Sequence, residues 1–260
     1  MGSVRVQITL LNWNIKCGCN TGLLQNGWPK RKLPLKEALT SERFDVLCVQ
    51  EALLDQLRFI DGFLPRYQRF GAGRTDGISA GEHCAIYILK ERFEATHDGT
   101  FWLSATPKKP SRSFDPPPLP PRVCSWVALR DKQTGKRARV FNTHFPLMVG
   151  ARKKSAEVLV EQLNEIHPGM PALLSGDFNC RPGTAPRKII HASGMSDTEF
   201  AFLGKNESKT WHLRGIPVIC LDGIYASKLW KVLEFRAVKP KTKVQPSDHF
   251  GLLATVALTK

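Results

Sequence analysis

The chain has 260 residues, of which 42 % are hydrophobic and 23 % charged, values that suit a globular α/β or α+β protein with a sizeable core and exclude a disordered chain. No stretch is long or apolar enough to span a bilayer, so stable membrane insertion is not expected. The formal charge of +15 favours polyanionic partners, with nucleic acid ahead of an anionic membrane surface because no long amphipathic basic helix is apparent.

In chain order, residues 1–11 alternate as a strand does, a strand-like run spans 7–15, and the N-terminal segment lacks a signal-peptide pattern. Taken as a native start, it points to an intracellular, cytoplasmic protein, with a removed leader as the alternative. A helix is expected over 33–42, a strand over 45–49, and a second helix over 53–63. Strands follow over 84–89 and 93–101, then a loop over 107–121 crowded with proline, lysine and arginine, then strands over 123–129 and 138–142. The helix expected over 151–167 places Val158, Leu159, Leu163 and Ile166 on one face and stops at Pro168 and Gly169. Strand 172–175, helix 185–192 and strands 221–225, 231–235 and 251–258 complete the series. Hairpin-like strand pairs mixed with helices in both halves predict one domain over 1–260. Its fold class is α/β (α+β): two mixed, mostly antiparallel sheets packed face to face with helices outside, a four-layer sandwich. The seven cysteines are odd in number and lie mostly in apolar contexts, so reduced thiols are expected, and Cys17 and Cys19 have no second pair to make a zinc site.

Chemistry concentrates at strand ends. The run SGDFN, Ser175 to Asn179, follows the apolar residues 170–174 and sets Asp177 and Asn179 together at a strand's C-terminal end. A carboxylate that can orient water and an amide that can steady an oxyanion then face one point. Asn14, Glu51, His144, Asp248 and His249 likewise end apolar runs, and Asp222 begins one. Singly, each has a plain structural reading: Asn14 as a turn cap, Glu51 as the cap of the following helix, His144 as a satisfied core histidine. Their ordered appearance together points to a site.

That ordered set, with QEAL (50–53), GAGRTDG (71–77), GEH (81–83), GTFWLS (99–104), NTH (142–144), GDFN (176–179) and SDH (247–249), resembles the endonuclease/exonuclease/phosphatase superfamily over essentially the whole chain. The resemblance implies a deoxyribonuclease I-like fold and metal-assisted attack of water on a phosphoric ester. It implies Glu51 as the main ligand of a Mg²⁺ or Mn²⁺ ion, with Asn14 beside it and Asp248 as a further metal-side carboxylate. His249 would contact the scissile phosphate and be held by Asp222; His144 would sit opposite, held by Glu82. Asp177 would orient or deprotonate water, and Asn179 would bind phosphoryl oxygens. Arg122 aligns with a phosphate-binding arginine of the deoxyribonuclease branch. Histidines paired to carboxylates keep their protons, so both imidazoles are expected charged at neutral pH. Many relatives carry an aromatic residue where this chain has Gly223, which suggests a wider groove or a lost stacking surface. The run VICLD (218–222) departs from abasic-site endonucleases.

Arg74, in the Gly-rich loop, is the further candidate for a substrate phosphate, against a structural ion pair. Trp28, Trp102, Trp211 and His212 are candidates for base stacking, with Trp102 read as core and Trp211 and His212 as the better substrate-side pair. Basic clusters at 152–154, 181 and 187–188 follow site segments and suit a phosphate backbone. The expectation is a monomeric nuclease acting on DNA or RNA. A phosphatase for a small phosphorylated metabolite or lipid headgroup, and a silent nucleic-acid-binding module, are the alternatives.

Overall fold

A computed structural model describes residues 6–19 and 26–259. The elements are β1 (Gln7–Asn14), α1 (Trp28–Thr40), β2 (Val46–Ala52), α2 (Leu54–Phe63), β3 (Tyr67–Phe70), β4 (His83–Leu89), β5 (Phe93–Trp102), β6 (Val123–Asp131) and β7 (Arg137–His144). They continue with α3 (Val149–Glu165), β8 (Ala172–Asp177), α4 (Ala185–Ala192), β9 (Met195–Asp197), α5 (Thr198–Leu203), β10 (Trp211–Leu213), β11 (Ile216–Ile219), β12 (Asp222–Ser227), β13 (Trp230–Val238) and β14 (Gly251–Leu258). The strands form two six-stranded sheets, ordered β13-β14-β1-β2-β4-β3 and β5-β6-β7-β8-β12-β9, and a hairpin, β10-β11.

Side-chain alternation along each strand builds the layers. Ile8, Leu10, Val46, Cys48, Val140, Leu173 and Ile224 face inward, and together they form the apolar core between the two sheets. The alternate positions Leu11, Trp13, Leu47 and Val49 face outward onto α1 and α2. Phe141, Leu174 and Tyr225 face outward onto α3 and α4. The result is the expected four-layer α+β sandwich.

Toward one end the inward positions turn polar. Gln50 donates to Asn12 Oδ1 (2.8 Å) and to Asn142 Oδ1 (2.6 Å), and Asn142 donates to the carbonyls of Val49 and Ala85. This buried network ties the sheets together just below the strand tips, leaving Asn12 Nδ2 and Gln50 Oε1 buried without partners. β1 and β2 run parallel, as do β7 and β8, so their C-terminal ends gather at that same end. β12 runs antiparallel to β8 and begins there, pairing Asp222 with Asp177.

All ten expected strands are present. Four short strands (β3, β9, β10, β11) and α5 were not expected, because three to six residues are too few to show a period. α1 begins at Trp28, five residues before the expected start. It absorbs Pro34, whose missing N–H frees the carbonyl of exposed Lys30 to water. Cys17 and Cys19 are joined by a disulfide, which corrects the expectation of reduced thiols for that pair. Cys48, Cys84, Cys124, Cys180 and Cys220 are free. The expected N-terminal alternation lies outside the described residues for positions 1–5. Among the described residues no helix is long and apolar enough to cross a membrane.

Candidate active site

Asn14, His144 and Asp177 are the last inward positions of β1, β7 and β8, and Asp222 is the first of β12. Register sets His144 beside Asp177 and Asp177 beside Asp222. Glu51 arrives by another route. It follows Leu47 and Val49 in alternation and would face α1 and α2, but its φ of 61° and a break in the β2–β4 register turn it into the site. His249 precedes β14, with its N–H donated to Ser247 Oγ and its carbonyl accepting from Trp13 Nε1 at 2.8 Å.

Hydrogen bonds and close histidine–carboxylate contacts join these tips into one file. Asn14 Nδ2 donates to Glu51 Oε1 and to Asp177 Oδ2, both at 2.9 Å. Its Oδ1 accepts the Lys16 N–H at 3.0 Å. Asn14 therefore clamps two carboxylates and lies beside Glu51. Glu51 Oε2 accepts the Cys17 N–H. Asp222 Oδ2 lies 2.7 Å from His249 Nδ1, and His249 Nε2 lies 3.7 Å from Asp177 Oδ2. His144 Nε2 lies 3.6 Å from that same oxygen.

The two histidines differ in charge. Burial works against a charged His249, but Asp222, at hydrogen-bond distance, and then Asp177 and Asp248 outweigh it and raise its pKa to about 10. His144 is pushed well below the usual imidazole value by burial and then by Arg122, Arg74 and His249. The expectation of two imidazolium ions therefore holds for His249 and fails for His144. Burial and the neighbouring Asp222 charge raise Asp177 to about 6, against the pull of His249.

The expected Glu82–His144 contact is absent. Arg74 takes both Glu82 oxygens, at 2.6 and 2.8 Å. His144 is instead held by Asn179, whose Nδ2 donates to His144 Nε2 (3.0 Å) and to the Phe145 carbonyl (2.9 Å). Both Asn179 amide hydrogens have partners here, so this amide orients a histidine. The proton of neutral His144 sits on Nδ1, which is buried without a partner. Arg122 is 5 % exposed, and its Nε and Nη1 are likewise buried and unpartnered. Arg74, Arg122, Glu82, Glu51 and His144 line one small cleft. Arg74 thus combines the two roles weighed for it, an ion pair and a place at the site.

Other expectations change. Trp28 is buried edge-on against Phe59, with ring centroids 5.6 Å apart, and has no face free for a base. Trp102 is core, as expected, with Nε1 donating to the Arg74 carbonyl. His212 is buried against Phe250 (4.2 Å between centroids) and accepts the Gly215 N–H, which removes it from the substrate side. Trp211 is half-buried and bridges to His249. Gly223 opens no groove. It points away from Asp222 toward α4, where a Cβ would lie 2.2 Å from Arg187 Nη1.

Several residues escaped sequence reasoning. Buried Arg187 donates to the carbonyls of Cys180, Leu221 and Asp222, bracing the strand ends that carry Asp177 and Asp222. Arg152 donates to the Asn179 carbonyl. Buried Arg31 donates to the carbonyls of Ile15, Lys16, Cys17, Asn26 and Pro246. Lys16 Nζ lies 3.2 Å from Asp248 Oδ2. Arg31, Arg152 and Arg187 read only as members of basic clusters, Lys16 is not singled out, and no local pattern separates any of them from solvent-facing neighbours.

Glu51, His144 and Asp177 each offer a ligand atom within 4.8 Å of the others, as do Asp177, Asp222 and His249. The first trio fits a hard divalent cation, with two carboxylates and room for water. In the second, the Asp222–His249 bond already uses the ring nitrogen that faces the carboxylate.

A model of the endonuclease/exonuclease/phosphatase family matches residues 11–249. Human nocturnin is 26 % identical over 90 % of the chain, which spans 59 % of nocturnin's length. The solved structure of an endonuclease/exonuclease/phosphatase family protein from Bacteroides thetaiotaomicron superposes with a TM-score of 0.87 at 27 % identity, covering 98 % of this chain and 99 % of its own. A mannosyl-6-phosphatase from the same organism gives 0.84 at 27 % identity, covering 97 % and 100 %.

Proposed function

The chain belongs to the endonuclease/exonuclease/phosphatase family, and from that membership we propose a divalent-cation-dependent hydrolase that cleaves phosphodiester bonds of nucleic acid. The observation that carries the reading is the continuous file from Asp222 and His249 through Asp177 and Asn14 to Glu51, one acid–imidazolium pair and two clamped carboxylates in direct succession. Mg²⁺ or Mn²⁺ held by Glu51 would supply Lewis-acid stabilisation of the phosphoryl charge.

The protein's own groups do the rest. Asp177, with a pKa of about 6, is ionised at neutral pH and takes a proton from the attacking water. His249 keeps its proton and donates it from Nε2 to a phosphoryl oxygen. The unpartnered donors His144 Nδ1, Arg122 Nε and Arg122 Nη1 are buried polar atoms that an anionic group satisfies. Asn14 and Asn179 hold the carboxylates and His144 in place. Water adds in line as the ester bond breaks.

The net charge of +15 supports a polyanion as substrate. One observation favours a second reading, a phosphatase for a small phosphate monoester: the full-length likeness to a mannosyl-6-phosphatase. The test is incubation with single- and double-stranded DNA and RNA under Mg²⁺, Mn²⁺ or EDTA, beside phosphate release from a panel of sugar phosphates. Metal-dependent strand cleavage supports the nuclease; phosphate release without cleavage replaces it with the phosphatase; neither activity rejects both.

A further inference from the structure

Lys16 and Asp248 face each other at 3.2 Å in a setting unlike a surface ion pair, with only 17 % of either side chain exposed. Lys16 is pinned at every backbone atom that can be held. Its N–H is donated to Asn14 Oδ1, and its carbonyl accepts from Arg31 Nη2 (3.1 Å) and Gln56 Nε2 (2.9 Å). Its φ is 58°, a conformation an L residue holds only when its surroundings impose it. The buried Arg31 that grips this turn also binds the Pro246 carbonyl, two residues before Asp248. One guanidinium thus fixes both halves of the pair. Asp248 also belongs to neither trio of potential ligands.

A carboxylate of this kind at a phosphoryl-transfer site is a natural ligand for a second cation, which would sit about 2.0–2.6 Å from its oxygen. A fixed ammunition of positive charge already stands against Asp248 Oδ2: the Lys16 ammonium. A divalent ion there would have to displace it or meet it at close range with like charge. Resting on the metal-hydrolase reading above, we propose that the Lys16 ammonium takes the place of a second divalent cation beside Asp248, so that the site binds a single ion, at Glu51. The lysine then supplies permanently, on the Asp248 side, positive charge that a second metal would have to be recruited to supply.

The experiment counts ions. Metal-stripped protein is titrated with Mn²⁺, following the free ion by electron paramagnetic resonance and the heat by calorimetry, with thermal unfolding as the check on fold. The wild type and Lys16→Arg are expected to bind one Mn²⁺ per chain. Lys16→Met is expected to bind two, and the double variant Lys16→Met/Asp248→Asn one. Lys16→Asn, which suits the left-handed backbone, stands in for Lys16→Met should that variant unfold, and it too is expected to bind two. Two ions in the wild type, or one in a folded charge-removing single variant, overturn the proposal while leaving the metal hydrolase intact. No ion in the wild type overturns both.

Discussion

His144 and His249 are the same residue type at one cleft, yet their surroundings give them opposite protonation. His249 has Asp222 at 2.7 Å; His144 has an amide on one nitrogen and two arginines nearby. This division predicts a bell-shaped pH profile of kcat/KM. Activity rises as Asp177 ionises near pH 6 and falls as His249 loses its proton near pH 10. Asp222→Asn removes the charge that raises His249, so the alkaline limb should move to lower pH; an unmoved limb would detach it from that histidine. Asp177→Asn and His249→Ala should each lower kcat by about 10²–10⁴-fold with unchanged unfolding curves, measured on whichever substrate the panel identifies. At this scale the Asp222–His249 pairing was legible through the family resemblance that short motifs at strand ends carry. Lys16 and Arg31 were not. Lys16 gains its meaning from a carboxylate 232 positions away, and Arg31 from a carbonyl 215 positions away, contacts that leave no local pattern.

Among the elements, period-two alternation explains both what was legible and what was misread. It sends Asn14, His144, Asp177 and Asp222 inward without special pleading, and all four stood out as polar ends of apolar runs. Glu51 breaks the alternation, so its place depends on a backbone kink that composition does not reveal. Gly223 illustrates the reverse error. Comparison with relatives suggested a groove-side gap, but its neighbour Asp222 faces inward, so position 223 must face α4 and Arg187. Gly223→Ala drives a methyl onto that guanidinium and should destabilise the protein by about 1–3 kcal/mol in urea unfolding. Combined with Arg187→Leu, the loss should fall short of the sum of the two singles, because the clash disappears with the guanidinium. Strict additivity would mean that the two positions do not meet.

For the whole molecule, the layer count and ten of the fourteen strands were readable because those ten are long enough to show their period. Substrate identity was not, because the charge of +15 is a property of the entire surface and names no ligand. It does predict a salt response. Asp177→Asn, bound to single-stranded nucleic acid, should lose affinity about fiftyfold between about 50 and about 200 mM salt for a footprint of about four phosphates. Insensitivity to salt would leave the charge without that role. The Trp13–His249 contact joins positions 236 apart, and Arg31 ties the same two regions together. On the ribosome, an elongating chain therefore lacks a working centre until residue 249 has been made and has emerged from the tunnel. The order of synthesis withholds the centre from a nascent chain until both ends of this contact are free to meet.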